Sequence, residues 1–211
     1  MAPGEVVGLD IEPAQLDHAR ERAREAGVTN VRFTSGNAYT LPYPDASFDV
    51  VFAHALLQHM GEPLRALKEF RRVLRPGGVA GIYDPDWTNR VFTPDSSLLE
   101  LMRSLRVRLY EVSGGSPGYA RHQRSLLLDA GFARAESYPF AKGGGTPEQL
   151  EQFRWRQRNE FRAFREALSA HGLADGKTVD AIVAEVEEWS RRPDAMFTGI
   201  TYRGIGWVDG Q

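Results

Sequence analysis

The sequence predicts an α/β fold in which a mostly parallel sheet carries helices on both faces. Short apolar runs alternate with amphipathic stretches over residues 5–140, the pattern of strands joined by crossover helices. One run, residues 48–52, is continuous rather than alternating, as suits a strand buried on both faces near the centre of such a sheet. Composition agrees: 42% hydrophobic, 26% charged, 21 Gly and 12 Pro in 211 residues are ordinary for a globular chain, and exclude collagen-like, coiled-coil and disordered readings. That length builds a single domain, residues 1–211, burying roughly 70% of its extended-chain surface.

Val6-Val7-Gly8-Leu9 reads as the first strand, stopping at Asp10. Pro13, suited to a first helical turn, opens a helix with Leu16, Ala19, Ala23 and Ala26 on one face, and Gly27 ends it. Residues 31–33 form the second strand and residues 48–52 the third. Pro63 starts a helix carrying Leu64, Leu67, Val73 and Leu74, closed by Arg75-Pro76-Gly77-Gly78, where glycine permits a tight reversal. Residues 79–83 are the fourth strand, so Asp84-Pro85-Asp86-Trp87 is expected to follow it as a turn. Thr93 and Pro94 cap a helix to Val112 with Leu98, Leu101, Leu105 and Leu109 inward; residues 121–130 give another helix, and residues 132–140 return as a strand. Gly143-Gly144-Gly145 reads as a flexible break, and Thr146-Pro147-Glu148-Gln149 as a capping box opening a long helix that carries Phe153, Phe161, Phe164 and Leu168. Thr178 caps one more helix, with Ile182, Val186 and Trp189 inward, and residues 196–208 close the chain as a strand. Residues 141–193 therefore form a helical insertion.

The absence of cysteine excludes disulfides, Cys-ligated zinc, iron–sulfur clusters and a thiolate nucleophile. His54 and His59 lack the adjoining Glu motif of a zinc helix, so no metal site is expected. Lys+Arg 26 against Asp+Glu 28 gives a net charge of −2 and a pI of about 6.2, without the basic field of nonspecific nucleic-acid binding, so no nucleic-acid partner is expected. The longest apolar stretches, residues 52–57 and 79–83, fall far short of the roughly 20 residues that span a bilayer. Met1-Ala2-Pro3-Gly4-Glu5 has neither the basic start nor the apolar run of a signal peptide, and a cytoplasmic location is the expectation.

In a parallel α/β sheet, ligands bind beyond the carboxyl ends of the strands. Asp10 stands at such an end, where a carboxylate can accept from both ribose hydroxyls of a nucleoside, or simply face the dipole of the helix at Pro13. Gly36-Asn37-Ala38 follows the second strand, either as a plain turn or as an amide and a small residue against an adenine edge. His54 and His59 follow the third strand as structural residues or as participants. Asp84 and Asp86 beside Trp87 can orient an acceptor or take a proton, or only start a turn. Phe153, Trp155, Phe161 and Phe164 read as core or lid packing.

As an ordered set these residues resemble the class I S-adenosylmethionine-dependent methyltransferases, in the ubiquinone/menaquinone methylase-like branch known as methyltransferase type 11. The resemblance covers residues 5–140. It runs through Val6-Val7-Gly8-Leu9-Asp10-Ile11, Gly36-Asn37-Ala38, Leu41-Pro42-Tyr43-Pro44-Asp45 and Ser47-Phe48-Asp49-Val50-Val51. It continues through Leu57-Gln58-His59, the stretch from Glu69 to Gly78, and Asp129-Ala130-Gly131-Phe132. It implies a Rossmann-like sheet with a C-terminal helical insertion, S-adenosylmethionine as cofactor and methyl transfer to a small or medium acceptor of apolar character. By the same resemblance Asp10 holds the ribose, Ile11 packs on the adenine, Asn37 and Ala38 meet its edge, and Ala53 and His54 lie by the methionine moiety. His59 and then Asp84 are the candidate bases, and a homodimer is compatible with the family.

Two departures qualify the resemblance. The family usually carries Asp where Asn37 stands, a mild change because an amide oxygen can still accept from the adenine amino group. Its first strand and glycine-rich loop have no counterpart ahead of Ala2-Pro3-Gly4-Glu5. Since that strand lies between those ending at Asp10 and near Phe52, its lack splits the sheet and leaves two unpaired edges. The turn-like Pro3-Gly4-Glu5 leads to the expectation that the natural chain extends upstream, which an in-frame stop codon just before Met1 contradicts. Two other functions stay compatible with the sequence: a non-catalytic scaffold of this fold, and a nicotinamide-dependent oxidoreductase, whose ribose Asp10 serves equally well.

Overall fold

Parallel strands need a crossover, and helix α1 (Pro13–Glu25) supplies the first one, from β1 (Val6–Asp10) to β2 (Val31–Ser35). The computed structural model describes residues 4–210, so the expected turn through Pro3 lies partly outside the described residues. Helix α1 has Pro13 at its first turn and is followed by Gly27 at φ +66°, a left-handed position that favours glycine. β1 and β2 pair from Val6↔Val31 to Asp10↔Ser35 and make a two-stranded sheet of their own.

The second sheet has the order β3-β4-β6-β5, from β3 (Phe48–His54), β4 (Leu74–Thr93), β5 (Arg134–Gly144) and β6 (Met196–Trp207). β3 and β4 are parallel, with His54 opposite Tyr83; β6 is antiparallel to both β4 and β5. The division between the sheets falls between β1 and β3, where the resemblance implies it. Their facing sides enclose an apolar cleft of about 150 Å³ lined by Val7, Leu9, Val51, Ala53 and Phe70 among others. β3 is consequently an edge strand rather than the sheet centre. Val50 and Phe52 are 62% and 69% exposed and line this cleft, and no strand among the described residues pairs with the outer side of β3.

Two cores hold the rest. Helix α2 (Pro63–Val73) and helix α4 (Gln123–Asp129) lay Leu67, Phe70 and Leu127 against Ala53, Ala80 and Ile82 of the second sheet. A separate core joins α3 (Ser97–Val112), α5 (Pro147–Ala170) and α6 (Gly176–Trp189). It is tied to the sheet through Phe92 and Phe197, which face each other in the β4–β6 register. Phe153 of α5 stacks on Phe197 at 4.5 Å and approaches Phe92 and Trp189 at 6.1 and 5.8 Å between ring centroids.

Several expected boundaries move. Asp84-Pro85-Asp86-Trp87 lies within β4, not after it, because β6 supplies antiparallel partners from Asp84↔Tyr202 to Asp86↔Ile200 and, past a bulge, Arg90↔Gly199 to Thr93↔Met196. Gly143 and Gly144 are strand residues rather than a break; a Cβ on Gly143 meets the Phe197 carbonyl oxygen at 2.0 Å, so glycine there serves close backbone packing. Ser96, not Thr93, caps α3, accepting from the Leu99 amide, and Asp175, not Thr178, caps α6, accepting from the Thr178 amide. The capping box at Thr146 and Gln149 forms as the sequence predicts.

Candidate active site

The carboxyl ends of β1, β2 and β3 carry the predicted binding residues. Asp10 ends β1 and its Oδ1 accepts from the Glu12 amide at 2.9 Å; the Oδ2 atom has no partner among the described residues. Ile11 beside it is 61% exposed. After β2, the Asn37 Oδ1 accepts from the Tyr39 amide at 2.9 Å, so the oxygen expected to reach an adenine is held by a local turn while Nδ2 keeps its donors. Ala38 is buried at the apolar cleft, as is Ala53, whereas His54 projects at the end of β3.

The loop that bears Asn37 and Ala38 is held by one clamp. Arg72 of α2 donates to Glu69, to Asp45 and to the carbonyls of Leu41 and Tyr43, while Glu69 accepts from the Leu41 amide at 2.8 Å. Arg72 holds the Glu69 carboxyl below its ordinary value. The Glu69-to-Gly78 stretch therefore acts from below the sheet, by fixing the loop.

A cavity of about 490 Å³ opens beside His54, between the ends of β3, β4 and β6 and the overlying helix α5. Ala55 adopts φ +53°, a left-handed backbone uncommon for alanine, and its amide donates to the Tyr83 carbonyl at 2.9 Å. This turn ends β3 and sets His54 with its ring 4.9 Å from that of Tyr83. Deeper in, Trp87 is 4% exposed and donates from Nε1 to Gln58 Oε1 at 2.6 Å. Three guanidiniums surround its indole: Arg106 at 4.5 Å, Arg90 at 4.8 Å and Arg156 at 5.9 Å from the ring centroid. Arg106 is 1% exposed and donates to Gln157 and Glu160 at 2.7 and 2.9 Å. Burial, then the charges of Arg106 and Arg156, lower the Arg90 guanidinium to about 9, which leaves it cationic at neutral pH.

Neither predicted base reaches this cavity. His59 packs its ring 5.0 Å from that of Tyr110 and meets Gln58 Nε2 at 3.1 Å, an arrangement that puts the imidazole proton on Nδ1. Desolvation holds the imidazole below its ordinary value, with Glu160 opposing. Asp84 is fully buried on the other face of β4, accepting from the Tyr119 hydroxyl and facing the backbone amides of Leu56, Leu57 and Gln58. Both residues support the loop that follows β3. Asp86 borders the cavity, but its carboxylate is bound to Arg121, Thr88 and Asn89. The guanidinium cluster was not among the sequence candidates. Its one legible trace is Arg106, a charge four residues after Met102 on the buried stripe of α3.

Asp84 gives a testable consequence. Burial pushes its carboxyl up to about 7, against Tyr119 and the amides, which pull it down. The folded chain then holds a proton that the unfolded chain releases near pH 4, so this group's contribution to stability declines as pH rises from about 4 to 7. The expected slope is up to about 1.4 kcal/mol per pH unit. Asp84→Asn removes it, and urea unfolding at pH 5 and pH 8 reads the difference; an unchanged slope in the variant contradicts the assignment.

Among the described residues, no group of three or more His, Cys, Asp or Glu is placed to hold a metal ion, and no helix is long and apolar enough to cross a membrane. Comparison with known proteins finds similarity to methyltransferases. Residues 1–82 match the family described as Methyltransferase domain. An uncharacterized 37.1 kDa protein of a Streptomyces fradiae transposon is 33% identical over 76% of this chain and 45% of its own length. Demethylmenaquinone methyltransferase of Listeria welshimeri is 40% identical over 41% of this chain and 36% of its own length. The chain thus spans less than half the length of these curated relatives. Among solved structures, phosphoethanolamine N-methyltransferase 2 of Haemonchus contortus, in complex with phosphomonomethylethanolamine and S-adenosylhomocysteine, shares the fold. Its TM-score is 0.56 at 18% identity, covering 99% of this chain and 44% of that one.

Proposed function

We propose, for a chain whose residues 1–82 match the methyltransferase-domain family, that the ends of β1, β2 and β3 hold S-adenosylmethionine and that the cavity beside His54 holds a small-molecule methyl acceptor. The observation that carries this reading is an adjacency: the strand ends suited to a nucleoside and the cavity under α5 meet at His54.

The residues fit the adenosine half of the cofactor. Asp10 offers an oxygen without a partner to the ribose hydroxyls, Ile11 offers an exposed apolar face to the base, and Ala38 leaves room for the backbone to approach. Asn37 contributes its Nδ2 donors rather than the oxygen expected from sequence. Ala53 and His54 stand on the methionine side. When bound, S-adenosylmethionine supplies an electrophilic sulfonium methyl group, so what falls to the protein is alignment of the acceptor and exclusion of water. Residues 147–189 act as a cap over the acceptor, anchored by Phe153. His54 lines the cavity and accepts the proton where the acceptor must lose one; His59 and Asp84 position the loop behind it.

The lining bears on the acceptor's character. Arg90, Arg156, Lys142 and Gln152 share the wall with Tyr83, Trp87 and Phe153, which suits a mixed acceptor better than a purely apolar one. S-adenosylhomocysteine is expected to change the emission of the tryptophans saturably, whereas NADH at the same concentration is expected to show no rise in its own emission. Binding of NADH without binding of S-adenosylhomocysteine overturns the proposal in favour of a nicotinamide enzyme.

A further inference from the structure

Around the indole of Trp87, charge is badly out of balance. Arg90, Arg106 and Arg156 all lie within 6 Å of its ring centroid, and Lys142 sits 5.8 Å from the neighbouring Tyr83 ring. The carboxylates nearby are committed. Glu160 binds Arg106 at 2.9 Å, and Asp86, which borders the cavity, has its carboxylate bound to Arg121 at 2.7 Å. Arg156 has no carboxylate partner among the described residues. Arg90 is the more telling: its Nη1 is sealed from solvent and makes no hydrogen bond among the described residues. Opposite Arg90 in the β4–β6 register stands Gly199, whose Cβ position lies 3.3 Å from Arg90 Cγ, so a larger residue there crowds the guanidinium. A buried guanidinium nitrogen without an acceptor, close to two other guanidiniums, is unfavourable unless something negative completes it.

We propose that the acceptor of this site carries an anionic group, a carboxylate or a phosphate, held by Arg90 and Arg156 against the face of Trp87. This rests on the reading of the site as a methyl-acceptor cavity. A guanidinium presents its donors as a planar fork that matches both anions. The register also measures the acceptor. Tyr83, beside His54, faces Arg203 of β6, and Arg90 faces Gly199, a separation of about 13 Å along the strand. The atom that takes the methyl and the anionic group are therefore held roughly 10 Å apart, with aromatic walls from Tyr83, Trp87 and Phe153 between them. A phenol joined to the anionic group through a short chain fits that description better than a long isoprenoid.

Benzoate, phenyl phosphate and neutral benzamide serve as probes, each titrated calorimetrically into the full chain with S-adenosylhomocysteine present. Benzoate or phenyl phosphate is expected to bind at least tenfold more tightly than benzamide; which of the two binds better assigns the carboxylate or phosphate source. Arg90→Gln and Arg156→Gln are each expected to weaken the preferred anion at least tenfold and to change S-adenosylhomocysteine affinity by less than twofold. Arg156 is exposed on α5, so its variant folds even if the Arg90 variant does not. Benzamide binding as tightly as the anions, or anion affinity untouched in Arg156→Gln, overturns the proposal. S-adenosylhomocysteine titrated alone separates the two readings. If it binds and no anion does, methyl transfer stands and the charged acceptor falls; if only the anions bind, and do so through the arginines, the anion site stands and methyl transfer falls.

Discussion

Phe153→Ala is expected to lower the folding stability of the chain by about 3–5 kcal/mol. The ring is 4% exposed and lies in a cluster with Phe92, Trp189 and Phe197, stacked on the last at 4.5 Å. Phe92 and Phe197 belong to the extended ends of β4 and β6, so the cluster is where the helical cap meets the sheet. Truncating it removes buried apolar surface and leaves a hole that the rigid strand ends cannot close, hence a value at the upper part of the range for core deletions. Phe164→Ala, on a partly buried ring of the same helix, is the control and is expected to lose less than half as much. Urea unfolding followed by circular dichroism reads both. A loss below about 1 kcal/mol for Phe153→Ala means that the cap does not depend on this contact.

The second large effect is on binding. Asp10→Ala is expected to weaken S-adenosylhomocysteine by about 10- to 100-fold, the scale of charge-assisted hydrogen bonds to two ribose hydroxyls, each worth roughly 1.5–3 kcal/mol before solvent and geometry reduce it. Asp10→Asn keeps an acceptor oxygen and is expected to lose less. Because Asp10 also accepts from the Glu12 amide, a general loss of structure at the start of α1 has to be separated from the loss of a ligand contact. The unfolding midpoint does so: the Ala variant is expected to fall by no more than about 1 kcal/mol. Equal affinities for wild type and Asp10→Ala place the nucleoside away from the end of β1.

Most of the strands and helices are legible in the sequence because their determinants are local. Pro13 and Pro63 open helices, Gly27 closes one, and the capping box at Thr146 is written in four consecutive residues. What the sequence hides depends on distant chain. The continuation of strand β4 through Asp84-Pro85-Asp86-Trp87 is imposed by β6, more than a hundred residues away. The same strand pairing turns the glycines at 143 and 144 from an apparent linker into a packing requirement against Phe197 and Gln149. A continuous apolar run at residues 48–52 announces a central strand, yet β3 lies at an edge because its outer neighbour is absent from the described residues.

The site divides in the same way. The placement of Asp10, Asn37 and His54 at strand ends is readable from the sequence, since each ends or follows a parallel strand; their roles toward a cofactor belong to the proposal. The assignment of bases on position alone to His59 and Asp84 fails geometrically. A carboxylate within a strand points to one face or the other, and Asp84 points to Tyr119, away from the cavity. The arginines that surround Trp87 come from β4, α3 and α5, and no spacing in the sequence announces that they meet.

Isothermal titration of S-adenosylhomocysteine into the 211-residue chain tests the central claim most directly. Saturable heat with one site per chain is expected, weakened by Asp10→Ala and little affected by Arg156→Gln. A folded chain, cooperative in its melt, that gives no heat with S-adenosylhomocysteine contradicts it.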